Sequence, residues 1–420
     1  KEETIERAVV RLLTTRMKLG LFDAPEKVPY NTINYDVVDC PKHKDVNEKA
    51  ARKSVVLLKN EKQLLPLNKE KINTIGVIGP NANNRKALIG NYEGTASEYI
   101  TILEGIQRYV GDDIRVMFSE GCHLCKNKMQ VLAQERDRLS EVRAVADCSD
   151  VIIACMGLDA SLEGEEGDEG NEFASGDKPN LNLPGLQEEV LKILVEAGKP
   201  VVLVVLSGSA LAINYADENI PAILQGWYPG ARGGKAIAEI LFGEYSPEGK
   251  LPVTFYRTVE ELPEFTDYSM KNRTYRYMKK EALYPFGYGL SYTEFTCSHE
   301  TVERDGDKFN VSALLSNEGE MDGAETLQVY VKACQDGAPN WQLKALKKVA
   351  VKAGGKAEVT VALEEADFAL YNEEGRKILK AGDYEVYVGT SQPDTRSVAL
   401  TGRTPAKITV HFDEDKEIAE

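Results

Sequence analysis

Between residues 46 and 256 the chain alternates short, unbroken apolar runs with segments of helical length, and few folds accept that pattern. The runs Val151–Met156 and Val201–Leu206 carry no charged side chain at all. A strand with one wet face alternates apolar and polar residues, whereas a strand that is apolar throughout is covered on both sides. Thr74–Ile78, Ile114–Phe118 and Ala222–Gln225 also read as strands. Between them Ile102–Tyr109, Gln134–Ala146, Leu186–Glu196 and Gly234–Phe242 read as helices, and residues 46–58 as an opening amphipathic helix. Strands and helices in alternation place helices on both faces of a mostly parallel sheet, so residues 46–256 are expected to form an α/β domain.

After Tyr256 the helical pattern fades. Residues 257–290 are rich in Tyr, Pro and Gly and read as a wrapping linker. From 291 to 412 strands dominate: Lys308–Leu315, Glu325–Lys332, Lys344–Val351, Lys356–Leu363 and Gly382–Gly389. The alternation Phe309, Val311, Ala313, Leu315 sends one face inward, and Asn317-Glu318-Gly319 and Ala353-Gly354-Gly355 supply turns, as an all-β sandwich requires. Residues 413–420 are an acidic tail, expected to fray.

Residues 2–19 form an amphipathic helix with Ile5, Val9, Leu12, Leu13 and Met17 on one side and Gly20 as its stop. Pro25, Pro29 and Pro41 punctuate an extended stretch after it. Residues 1–45 offer little to cover that apolar face, and the expectation is that they are the tail of a missing preceding domain plus a linker.

Lys+Arg 51 against Asp+Glu 67 gives a net charge of −16, which disfavours nucleic acid and anionic membrane as partners. The longest apolar run, Val201–Leu206, is far short of the about 20 residues that span a bilayer. The seven cysteines are an odd number without a framework, and point to free thiols in a reducing, cytoplasmic setting. Cys122-His123-Leu124-Cys125 is a weak metal or redox motif, since no second pair follows it. No metal or cofactor is called for, and assembly into a homo-oligomer is left open.

The densest ionisable cluster runs from Asp159 through Glu163, Glu165, Glu166 and Asp168 to Glu169, directly after the strand Val151–Met156. Ligands of open α/β sheets gather beyond the carboxyl ends of strands. Crowded carboxylates also raise the proton affinity of at least one of them, as a general acid needs. A solvated loop and a calcium loop stand beside that reading, although the spacing is not that of the twelve-residue calcium loop. Ile75-Gly76-Val77-Ile78-Gly79-Pro80 lacks the spacing of a dinucleotide loop, Ser207-Gly208-Ser209 lacks a nucleophile elbow, and His43, His123, His299 and His411 are dispersed. The aromatic run Tyr284–Tyr292 reads as packing at a domain junction, with sugar stacking the alternative.

Several segments resemble family 3 glycoside hydrolases (β-glucosidases, β-xylosidases and relatives). Arg16–Asp23 is similar to the exit of that family's barrel, and Ala50–Asn60 to the start of its second domain, an α/β sandwich. Gly90–Gly94, Gly226-Trp227-Tyr228-Pro229-Gly230 and Leu241–Thr254 resemble further segments of that domain. Tyr275-Arg276-Tyr277, Leu283–Tyr292 and Gly382–Gly389 resemble the linker and a fibronectin III-like domain. The resemblance implies a retaining exo-acting β-glycosidase, β-glucosidase first and β-xylosidase second. It implies an aspartate nucleophile on a TIM-like barrel absent from this sequence, in the same protein or a companion chain. The general acid/base glutamate is then Glu163, with Glu165 and Glu166 as fallbacks. The loop departs from the family at Glu169, where arginine is usual. A non-catalytic carbohydrate-binding or scaffold protein built from the same two domains is the rival reading.

Overall fold

Alternate residues of the run Val201–Leu206 enter opposite cores. Val201, Leu203 and Val205 belong to one buried cluster, and Val202, Val204 and Leu206 to another. The neighbouring run behaves the same way, with Ile152, Ala154 and Met156 on one side and Val151, Ile153 and Cys155 on the other. Fully burying each such aliphatic side chain contributes roughly 1.5–3 kcal/mol, so a central strand apolar on both faces is stabilised twice over.

This computed structural model describes residues 1–163 and 178–418. The chain forms two compact units, Lys1–Asn47 and Glu48–Glu420. The first contains helix α1 (Glu2–Lys18), whose Ile5, Leu12 and Met17 are exposed. The stretch after it is wound into three short 3-10 turns, Pro25–Lys27, Pro29–Thr32 and Tyr35–Val37, in place of the extended linker expected from its prolines. Proline fits the first position of such turns, because its fixed φ suits a helix and the missing N–H has no partner to lose there.

In the second unit a six-stranded sheet runs β1 (Val56–Asn60), β6 (Ala222–Gln225), β5 (Val201–Leu206), β4 (Val151–Gly157), β2 (Thr74–Ile78), β3 (Arg115–Ser119). All pairings are parallel except β1 with β6. Helices α4 (Leu139–Asp147) and α5 (Gln187–Glu196) cover one face, and α3 (Ile102–Val110) and α7 (Gly233–Leu241) the other. Between β5 and β6 lies α6 (Asn214–Asn219). The close approach of α3 to α7 needs glycine at 105, where a Cβ would stand 2.1 Å from the Gly234 carbonyl oxygen.

Two expected helices differ. The one expected over residues 46–58 is α2 (Pro41–Ser54), and Val56–Asn60 is β1. The cause is the row Val55-Val56-Leu57-Leu58: Val55 and Leu57 feed one core while Val56 and Leu58 feed the other, a two-residue period that only a strand delivers. The helix expected over Gln134–Ala146 begins at Leu139, its first core-facing residue.

The β-sandwich pairs a four-stranded antiparallel sheet with a three-stranded one. The first is β10 (Gln342–Val351), β9 (Gly323–Ala333), β14 (Gly382–Gly389) and β15 (Ala406–Phe412). The second is β11 (Lys356–Glu364), β8 (Lys308–Asn317) and β7 (Phe295–Asp305). Phe309, Phe368, Tyr384 and Phe412 meet at its centre with ring centroids 5.0–5.8 Å apart. The acidic tail is partly held, since β16 (Lys416–Glu417) pairs with β13 (Lys377–Leu379), itself paired with β12 (Leu370–Tyr371). The aromatic run Tyr284–Tyr292 packs on the α/β sheet, with Tyr284 and Tyr288 buried and the Tyr288 hydroxyl donating to the Leu58 carbonyl at 2.9 Å.

Candidate active site

The adjacent strands β4, β5 and β6 end in three loops that converge. The first leaves β4 through Gly157, whose φ of +131° and approach to the Leu206 carbonyl (2.0 Å from where a Cβ would stand) admit no side chain. Gln187, fully buried at the start of α5, fixes that turn. Its amide oxygen accepts from the Gly157 N–H at 2.7 Å, and its amide nitrogen donates to the carbonyls of Gly157 (2.8 Å) and Leu124 (2.6 Å).

Asp159 comes next and is buried. One carboxylate oxygen accepts from the Ser161 N–H (3.0 Å) and hydroxyl (2.6 Å), and the other from the Asn84 amide (3.1 Å). Its backbone carbonyl accepts from the N–H groups of Leu162 (3.0 Å) and Glu163 (3.3 Å). An acidic side chain with its acceptors filled inside the loop shapes the loop, and leaves the next carboxylate, Glu163, at its rim. A cleft of about 520 Å³ lies alongside, walled in part by Asn84, Phe118, His123, Lys126 and Asp159.

Glu163 is turned back toward the ends of β5 and β6. One oxygen accepts from the Gly208 N–H at 2.7 Å and from the Tyr228 hydroxyl. The other accepts from the Ser209 hydroxyl and lies 3.8 Å from the Lys178 ammonium. Lys178 also donates to the Ser209 hydroxyl at 2.7 Å. The side chains of Glu163 and Lys178 are 13% and 12% exposed, so this ion pair is largely out of water. Burial pushes the Lys178 ammonium below its usual range, opposed by the Glu163 charge. Burial pushes the Tyr228 hydroxyl well up, and the Glu163 charge adds to it, so Tyr228 stays a donor.

Tyr228 reaches this point because Trp227 adopts a left-handed φ of +57°, held by its indole N–H donating to the Ser54 carbonyl at 3.0 Å. Gly208 leaves just enough room, since a Cβ there would lie 2.9 Å from the Tyr228 ring and 3.0 Å from the Glu163 carboxylate. Of the residues expected at the site, Glu163 stands at the convergence, while Glu165, Glu166, Asp168 and Glu169 lie outside the described residues. Sequence reasoning missed Gln187, Ser209, Tyr228 and Lys178; the Gly226–Gly230 segment carried Tyr228 only as a point of likeness. His123 accepts from the backbone N–H groups of Cys125 and Lys126 at 3.1 and 3.0 Å. Among the described residues no group of three or more His, Cys, Asp or Glu side chains could hold a metal ion.

Comparison with known proteins agrees with this architecture over nearly the whole chain. Residues 55–292 match the Glycosyl hydrolase family 3 C-terminal domain, and residues 325–392 match the Fibronectin type III-like domain. A beta-xylosidase of Formosa agariphila is 32% identical over 94% of this chain and 55% of its own length. The periplasmic beta-glucosidase of Salmonella typhimurium is 31% identical over 92% of this chain and 54% of its own length. A β-glucosidase from Erythrobacter marinus superposes with a TM-score of 0.81 at 30% identity, covering 97% of this chain and 56% of that structure. A GH3 exo-beta-xylosidase, solved with a xylobiose aziridine probe, does so with a TM-score of 0.84 at 28% identity, covering 99% of this chain and 54% of that structure. The chain thus spans about half the length of the curated relatives it matches. The chain belongs to glycoside hydrolase family 3, whose C-terminal α/β domain and fibronectin III-like domain it carries.

Proposed function

We propose that this chain is the acid/base-bearing part of a retaining exo-acting β-glycosidase, completed by a barrel that carries an aspartate nucleophile. The substrate is a terminal β-glucoside or, in the second place, a β-xyloside. The observation that carries the reading is Glu163, the last described residue before the acidic segment, placed at the carboxyl ends of β4, β5 and β6 in a chain of this family. In the first step a loop glutamic acid gives its proton to the leaving glycosidic oxygen while the aspartate attacks the anomeric carbon and the C–O bond breaks. In the second, the resulting glutamate takes a proton from water, which displaces the aspartate and releases the sugar with its configuration retained. Both carboxyl groups must approach to roughly 5–5.5 Å. Glu163 is the first choice for the proton donor by the loop's likeness, and Glu165 and Glu166 follow.

The test uses the intact protein in which this chain stands behind its barrel. It is expected to hydrolyse aryl β-glucosides or β-xylosides with retention, read by NMR of the first-formed anomer. One of the Glu163→Gln, Glu165→Gln and Glu166→Gln variants should lose turnover by about 10²–10⁴-fold on poor leaving groups while sparing activated ones, with azide restoring turnover as a β-glycosyl azide. Inversion, or three variants that all keep full activity, would sink the reading.

A further inference from the structure

Glu163 and Lys178 flank the undescribed segment 164–177, and the fold brings the two side chains to one point. The Ser209 hydroxyl stands between them, accepting from Lys178 and donating to Glu163. The Gly208 N–H and the Tyr228 hydroxyl occupy the second Glu163 oxygen. Both oxygens of this carboxylate are therefore turned to its own domain: one accepts two hydrogen bonds from donors on the ends of β5 and β6, and the other accepts from Ser209 and faces the Lys178 ammonium at 3.8 Å. A proton donor to a leaving group needs an oxygen free to face the substrate. A carboxylate filled in this way does something else well: it ties three loops and both flanks of the acidic segment together.

Resting on the reading above, we infer that Glu163, Lys178, Ser209 and Tyr228 form a clamp at the neck of the acidic loop. In it Glu163, ranked first as proton donor by the loop's likeness alone, is a positioning residue, and the proton donor is one of the two fallbacks, Glu165 or Glu166. Removing a charged partner from such a nearly buried pair leaves the other unpaired. The effect on catalysis then comes through misplacement of the loop, and a displacement of about 1 Å can cost up to ~100-fold in turnover.

The experiment is kinetic, on the intact enzyme. Glu163→Gln, which is nearly isosteric, should lower kcat/KM by ~10–100-fold equally for good and poor leaving groups. It should keep the acid-to-base shape of the pH profile and gain nothing from azide. Lys178→Met should reproduce that loss, Lys178→Arg should largely restore it, and the Glu163→Gln/Lys178→Met double variant should be no worse than either single one. A leaving-group-dependent loss in Glu163→Gln, with azide rescue and a flattened acid–base limb, would make Glu163 the acid/base and overturn the clamp while leaving the glycosidase reading intact. Independent, additive losses at 163 and 178 would overturn it too. Absence of azide rescue at all three glutamates would instead count against the proposed function.

Discussion

At the scale of single residues the loop after β4 depends on one buried amide. Gln187 satisfies both backbone groups of Gly157 and the Leu124 carbonyl from a position with no solvent exposure. Leucine there would keep the volume and leave the two buried backbone groups of Gly157 and the part-buried Leu124 carbonyl without this partner, at about 1–3 kcal/mol for each buried group when nothing replaces the bond. Gln187→Leu is therefore expected to lower the unfolding free energy by on the order of 3 kcal/mol, read as a drop in the urea midpoint with an unchanged slope. A loss below ~0.5 kcal/mol, the ordinary range of surface substitutions, would show that the amide is not what holds the turn. Gln187 could not be read from the chain because a glutamine at the start of an amphipathic helix looks like any solvated first-turn residue. Glu163 was legible, as a carboxylate in a dense acidic run after an apolar strand. Its partners Ser209 and Tyr228 are 46 and 65 residues away, and only the parallel order of β4, β5 and β6 makes them neighbours. The basic residue usual beside Asp168 is missing at Glu169, while the cation that meets Glu163 is Lys178.

At the scale of elements, the part of α2 in the second unit is held to α7 by charges in place of apolar contacts. Glu48 accepts from Arg232 and Lys235, both at 2.6 Å, and Arg52 makes a two-pronged pair with Glu239 at 2.5 and 2.8 Å. Burial acts to raise the Glu48 carboxyl, but hydrogen bonds and charge from Lys235 and Arg232 outweigh it, and the group ends below its usual range. A carboxyl depressed in the folded state stabilises the protein above its unfolded pKa, and that contribution is lost as pH falls through the folded value. Glu48→Gln should thus cost about 3 kcal/mol at neutral pH, the low end for breaking a buried pair because Lys235 is partly in water. The gap from the parent protein should close on acidification below about pH 4. A gap that stays constant from pH 7 to pH 3 would remove charge as the cause. Where packing decides, the elements were legible: β4 and β5 announce themselves, and Phe309, Val311, Ala313 and Leu315 alternate as observed. β1 was not, because Val55–Leu58 continues α2 without a break and only the presence of two cores separates strand from helix. β7 escaped notice as well. Its Thr296, Ser298, Glu300 and Glu303 interrupt the apolar pattern, and it is an edge strand whose exposed side tolerates them.

At the scale of the whole molecule, the proposed chemistry needs two carboxylates facing one sugar. Asp159 is the other acidic side chain of the described part of the β4 loop, and its oxygens are filled by Ser161 and Asn84. It forms the loop and is not free to attack an anomeric carbon. In the function proposed above, the nucleophile is instead the aspartate that the family likeness assigns to a barrel. The 420-residue chain alone is therefore expected to give no turnover on aryl β-glucosides or β-xylosides, including activated ones that need no acid, because the missing group acts first. The same substrates should be cleaved once the barrel is supplied, in the same polypeptide or as a second chain. This separates loss of the nucleophile from loss of the acid, since an enzyme lacking only its acid still reacts with activated substrates. Sustained turnover by the chain alone, after removal of any co-purifying glycosidase, would mean that both carboxylates lie within these residues, and the division of the active site between two bodies would have to be abandoned.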